Sequence, residues 1–208
     1  MRNLNLRAPD FDRISIAFHE AGHAVLSLAL NGHHGYSTVS IWPDGVYWYG
    51  ICRPLGPTPG AKYLPPFPAT MPREWQQLAR EAWSELVVSW SGAAAFRRLE
   101  GLGLDADAIR DDATAAYGDA AQAGEVARHF WPAQHIESIL DRSAETAALL
   151  IQQPEIWTAI QRVADYVATR RNAHINEVET LVRRHIPNPI VCPGTDWAAR
   201  LSRQGVGC

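Results

Sequence analysis

Apolar residues recur along positions 11–31 at two helical phases. At about 100° per residue, Ile14, Phe18, Ala21, Val25 and Leu28 line one side, and Ile16, Leu26 and Leu30 line the other. This predicts a helix over 11–31, opened by Pro9-Asp10, closed by Gly32 and buried on both sides. Arg13, Glu20, Ser27 and Asn31 fall in a narrow polar wedge between the stripes. From residue 36 onward the period shortens, and β-branched and aromatic residues flank Pro43-Asp44-Gly45. Segments 37–42 and 46–51 therefore read as the two arms of a hairpin. Half of the 14 prolines then fall within 53–72, which predicts a loop with extended stretches over a cleft.

Helical periodicity returns after Pro72 and predicts helices over 73–100, 117–131, 133–152, 154–170 and 175–185. The Gly- and Asp-rich stretch 101–112 separates the first two, and 186–208, with Pro187, Pro189 and Pro193, reads as irregular. The expected fold is α+β and mainly α-helical: a first buried helix, a small β-hairpin or sheet, then a helical bundle. Residues 1–186 are expected to form one domain and 187–208 a C-terminal tail. No internal repeat or low-complexity run interrupts this order.

Composition narrows the partners. Lys plus Arg number 19 against 22 Asp plus Glu, a formal charge of −3, so there is no basic field for nucleic acid or an anionic membrane. At 47% hydrophobic and 20% charged the chain is composed like a globular protein rather than a disordered one. No apolar run of about 18 residues is present, and the opening Met-Arg-Asn-Leu-Asn-Leu-Arg lacks the apolar core of a secretory signal. Cys52, Cys192 and Cys208 are odd in number and scattered, which predicts reduced thiols and not a disulfide framework. A cytoplasmic protein is the expectation.

The first helix carries His19-Glu20-Ala21-Gly22-His23. Histidines at i and i+4 lie about 40° apart around the helix and roughly 6 Å apart along it, so two imidazoles can reach one zinc ion. Glu20 points beside the metal, where a carboxylate can hold and deprotonate a water. Gly22 beside His23 weakens the helix by about 1 kcal/mol and predicts close approach of another backbone. A catalytic zinc takes a third protein ligand, which must lie downstream. His33 and His34 fall past the helix stop and read as loop residues. Glu81, Glu85, Asp105, Asp107, Asp111, Asp112, Asp119 and Glu125 are all chemically eligible, and spacing does not choose among them; Asp119, after Gly118, also reads as a helix cap.

Five segments resemble a known family. Ala17-Phe18-His19-Glu20-Ala21-Gly22-His23-Ala24-Val25 is similar to the zinc-binding helix of the peptidase domain of FtsH-type AAA zinc metalloproteases. The stretch from Ser37 to Gly45, with Tyr49-Gly50, resembles the strand that follows it there, and Ser91-Gly92-Ala93-Ala94-Ala95 resembles its Gly-Gly-Arg-Ala-Ala-Glu segment. Residues 118–127 resemble the helix whose Asp is the third zinc ligand, and 175–181 resemble the closing helix. The order is kept over about residues 11–186. This resemblance implies that Asp119 completes the zinc site with His19 and His23, and that Glu20 is the general base. The departures are also plain: no Walker loop or AAA module is present, Ala93 and Phe96 replace the segment's Arg and Glu, and the connection to Asp119 is longer.

The expected function is a stand-alone zinc-dependent metallopeptidase acting on peptides or unfolded proteins, with Zn²⁺ as cofactor and no nucleic-acid or membrane partner. Self-association and an ATPase acting in trans stay open. Two rivals keep the same residues: a catalytically inactive peptidase-like binding module, and a zinc hydrolase of a non-peptide amide. The eight tryptophans, among them Trp42, Trp48, Trp75, Trp83 and Trp90, could line a pocket for the latter, although the spacing of 83 and 90 favours core packing.

Overall fold

The computed structural model describes residues 12–31, 36–45, 47–54, 72–115 and 118–204. Among these, eight α-helices and one three-stranded antiparallel sheet form a mainly helical α+β fold, as the periodicity predicts. Helix α1 (Arg13–Asn31) is the centre. Asp12 caps it: its Oδ1 accepts the N–H groups of Ile14 at 2.8 Å and Ser15 at 2.9 Å, so the start lies two residues after the expected Pro9-Asp10.

Every residue from Ser15 to Ala29 is buried. The two-stripe pattern holds from Ser15 onward, Ile14 being exposed, and the polar wedge closes at Glu20 and Ser27, which are buried, while Arg13 stays exposed. The sheet, α2 and α6 enclose the helix.

Strands β1 (Tyr36–Asp44) and β2 (Tyr47–Pro54) form the expected hairpin, each longer than read from sequence, with Gly45 at φ 64° in the turn. A third strand, β3 (Asn172–His174), pairs with β1 and gives the order β2-β1-β3. At three residues it is too short to show a period of two. Helix α2 (Pro72–Leu99) packs along α1 and carries most of the remaining bundle: α3 (Ala106–Ala115), α4 (Asp119–Phe130), α5 (Ile136–Ile151) and α8 (Thr195–Gln204). Helix α6 (Pro154–Arg170) covers α1, and α7 (Ile175–Arg183) follows β3.

Two of these helices correct the sequence reading. Within 101–112, read as a break, Asp105 accepts the Ala108 N–H at 2.9 Å and starts α3, which buries Ile109 and Ala113 one turn apart. Within the tail read as irregular, the chain leaves its prolines at Gly194 (φ 80°) and enters α8. Trp83 Nε1 donates to Pro193 O at 2.7 Å, and Trp131 Nε1 donates to Ala198 O at 2.9 Å, so this segment packs on the bundle. Both helices are about three turns long, and the Gly and Pro residues of these stretches lie outside them. Much of the proline-rich 53–72 segment, together with His33, His34 and Cys208, lies outside the described residues. No helix among the described residues is long and apolar enough to cross a membrane.

Candidate metal centre

Three glycines set how closely the elements meet at the middle of α1. A Cβ on Gly22 would lie 2.5 Å from the Ser91 carbonyl oxygen, so α1 and α2 touch backbone to backbone there, as the glycine beside His23 predicts. A Cβ on Gly92 would lie 2.4 Å from His23 Nε2 and 2.7 Å from His19 Nε2. On the other side of α1, a Cβ on Gly50 of β2 would lie 2.5 Å from Glu20 Oε1. The two imidazoles therefore rest on α2 and the carboxyl group on the sheet. The first helix is held between surfaces that admit no larger residue at these points.

His19 and His23 project from successive turns, and Asp119, the first residue of α4, joins them. The distances His19 Nε2 to His23 Nε2, His19 Nε2 to Asp119 Oδ2 and His23 Nε2 to Asp119 Oδ2 are all 3.2 Å. Gly118, at φ 100°, turns the chain into α4 with no side-chain cap. Asp119 is thus left to face the histidines at a helix N-terminus, where the dipole favours an anion.

The tautomer of His23 follows from its other nitrogen. Nδ1 lies 2.8 Å from the Val88 carbonyl oxygen and must donate to it, so in the neutral ring Nε2 presents a lone pair. That lone pair faces a second imidazole nitrogen and a carboxylate oxygen. The His23 lone pair and the Asp119 carboxylate oxygen are both acceptors, and they repel one another unless a proton or a cation stands between them. Burial alone would lower the pKa of His23, but the charge and hydrogen bond of Asp119 and the charge of Glu20 push it up to about 9. Without a metal, a proton fills the role. Burial also opposes ionisation of Asp119, yet His23 and His19 hold its carboxyl well below the usual range. Ligands about 2.0–2.1 Å from a tetrahedral zinc ion stand about 3.3–3.4 Å from one another, so the 3.2 Å triangle has the size that such an ion requires. His19, His23 and Asp119 could hold a metal.

Glu20 stands apart from this triangle. It is buried against Gly50, and burial raises its pKa, offset in part by the neighbouring histidines. A carboxyl group so placed takes up a proton more readily than one in water.

Of the eight carboxylates eligible by sequence, only Asp119 reaches the histidines. Asp112 pairs with Arg97 at 2.7 Å, Asp105 caps α3, Glu81 accepts from Gln77 at 2.9 Å, and Asp107, Asp111 and Glu125 are exposed. Glu85 is half-buried on α2 and accepts from Gln122 at 3.4 Å. No family model matches the chain, and no curated protein matches it.

Sequence reasoning did not find the roles of Val88, Gly50 and Gly92. A backbone carbonyl leaves no trace in sequence, and a glycine that makes room for a buried polar side chain reads the same as one in a turn. Among the tryptophans, Trp83 and Trp90 are fully buried in the core, while Trp42 is exposed and stacks on Tyr49 with ring centroids 6.4 Å apart. Cys52 and Cys192 are free thiols. Burial, with the charges of Glu20 and Asp119, raises the pKa of Cys52, so it stays a neutral thiol beside the site.

Proposed function

We propose that the chain is a zinc-dependent metallopeptidase of the kind found in FtsH-type proteases. The observation that carries this is the triangle of His19 Nε2, His23 Nε2 and Asp119 Oδ2 at 3.2 Å, with the His23 tautomer fixed by Val88. Zinc held there would polarise a scissile carbonyl and lower the pKa of its bound water toward about 7.

The chain's own residues do the rest. The Val88 carbonyl keeps the His23 ring oriented. Glu20, one residue beyond His19 and pressed onto β2, takes the proton of the attacking water and returns it to the departing amine. Strand β2 is an edge of the sheet and can take an extended peptide by strand addition, which gives backbone affinity with little sequence preference. Unfolded proteins and peptides are the substrates of this reading. The reduced thiols fit the cytoplasm, and this reading admits a homo-oligomer or an ATPase partner in trans.

Metal analysis paired with an unstructured-peptide cleavage assay tests this. The wild type is expected to hold about one zinc per chain and to cleave. His23→Ala should lose most of the metal, since two ligands hold a catalytic-type site poorly. Glu20→Gln should keep the zinc and lose turnover by roughly 10²–10⁴-fold. Zinc retention without cleavage in the wild type would instead favour a binding module or an amide hydrolase.

A further inference from the structure

A second charged cluster lies beside the candidate centre. The guanidinium carbon of Arg13, in the first turn of α1, is 5.9 Å from the centre of the Trp48 ring, and that of Arg171 is 5.6 Å from it. Both arginines are exposed, and neither forms an ion pair with a carboxylate of the described residues. Like charges drawn to one ring repel each other, and contact with an aromatic face near the 6 Å limit compensates only weakly. In a chain of net charge −3, two arginines around one ring with no carboxylate partner among the described residues are an arrangement that an anion would complete.

The backbone at Arg171 gives an independent indication. It ends α6 at φ 64°, and it is the one non-glycine residue with positive φ among the described residues. Glycine takes this helix-ending position without strain. An arginine here keeps a side chain at the expense of local strain, and such strain gathers at functional sites. Two hydrogen bonds hold the position: the Arg171 N–H donates to Val167 O at 2.7 Å, and its carbonyl accepts the Ile41 N–H at 2.9 Å. The residue is thereby pinned between α6 and β1, with its side chain reaching Trp48 of β2.

The cluster also has a fixed relation to the reacting groups. Trp48 and Gly50 share one face of β2, two residues or about 7 Å apart, and Gly50 is the residue against which Glu20 rests. Arg13 is seven residues before Glu20, two turns or about 10 Å along the same face of α1. We propose that Arg13, Arg171 and Trp48 form a carboxylate-recognition subsite, which binds a carboxylate of the peptide substrate two or three residues from the scissile bond. This rests on the peptidase reading, and it adds a selectivity that strand addition alone does not supply. The carboxylate is that of an acidic side chain or the free C-terminus. Either suits the planar fork of arginine, which binds carboxylates through two parallel hydrogen bonds.

The test measures binding and not turnover, on the zinc-loaded full chain carrying Glu20→Gln. Fluorescence anisotropy is read for three labelled unstructured peptides: one with internal Glu and an amidated C-terminus, one with Gln in its place and also amidated, and the Gln peptide with a free C-terminus. The expected result is that one of the two carboxylate-bearing peptides binds about tenfold tighter than the amidated Gln peptide, which also identifies the source of the carboxylate. Arg171→Gly, which relieves the φ strain and so keeps the fold, should erase that preference, as should Arg13→Ala. Arg171→Lys should keep only part of it, having the charge without the fork. Equal binding of all three peptides, or a preference that survives in Arg171→Gly and Arg13→Ala, overturns the subsite and leaves the peptidase reading standing. No binding of any peptide overturns both.

Discussion

Two buried polar clusters sit on α2, and they are built on opposite principles. Around Trp90, the indole Nε1 donates to Ser143 Oγ at 2.7 Å, and Ser143 donates in turn to the Leu140 carbonyl oxygen at 2.8 Å. Each donor meets an acceptor, and the cluster is complete as it stands. Around Gly92, two turns of α1 and the start of α4 bring two imidazole nitrogens and a carboxylate oxygen to 3.2 Å from one another. Here the lone pair of neutral His23 meets the Asp119 carboxylate oxygen, acceptor against acceptor. The first cluster joins α2 to α5, whereas the second is held in place by its surroundings and is balanced by a proton on His23 or could hold a metal. Glu85 is an intermediate case: one of its carboxylate oxygens is buried without a hydrogen-bond partner, and burial pushes its pKa up to about 7, so a proton satisfies it.

The comparison breaks most sharply at Gly92. Gly92→Ala sets a methyl group 2.4 Å from His23 Nε2, and the ring cannot swing away without leaving Val88. Zinc affinity should fall by about 10–100-fold, read by competition with a chromophoric chelator; unchanged affinity would mean that the imidazoles do not act as a pair at this spot. Trp90→Phe tests the complete cluster. It should destabilise the fold by about 1–3 kcal/mol in urea unfolding and leave zinc content unchanged, because nothing there faces the metal-binding atoms.

The smallest effect concerns Glu85. Its pKa in the fold lies above the ordinary 4.5, so the ionised form is disfavoured there, and its contribution to stability falls as pH rises from about 4.5 through about 7. Glu85→Gln should therefore leave stability near pH 4 little changed and raise it at pH 8 by of order 1 kcal/mol. Thermal melts at the two pH values check the sign, and an equal shift at both would remove the proton from the explanation.

Much of this was legible in sequence because it is periodic. The double stripe on 11–31 announces a helix buried on both sides, and the hairpin and long helices follow from their repeat. His19, Glu20 and His23 share one helix, so their relation is local and readable from spacing. Asp119 is 96 residues from His23, and nothing within the chain's own periodicity connects them; only the resemblance singled it out from seven other carboxylates. What stayed hidden is short or made of backbone. Strand β3 has three residues, α3 and α8 begin at caps rich in Asp, Gly and Pro, and the Val88 carbonyl has no side chain to betray it. The strained Arg171 is invisible for a similar reason, since φ is fixed by the packing of α6 on β1.

The central claim is that three named atoms hold one ion, and a crystal structure of the zinc-loaded protein with anomalous scattering at the zinc edge tests it most directly. The expected map has a single strong peak bonded to His19 Nε2, His23 Nε2 and Asp119 Oδ2, the last at about 2.0–2.2 Å. A zinc-loaded crystal with no peak among these atoms, or a peak whose nearest carboxylate belongs to any residue other than Asp119, would contradict it.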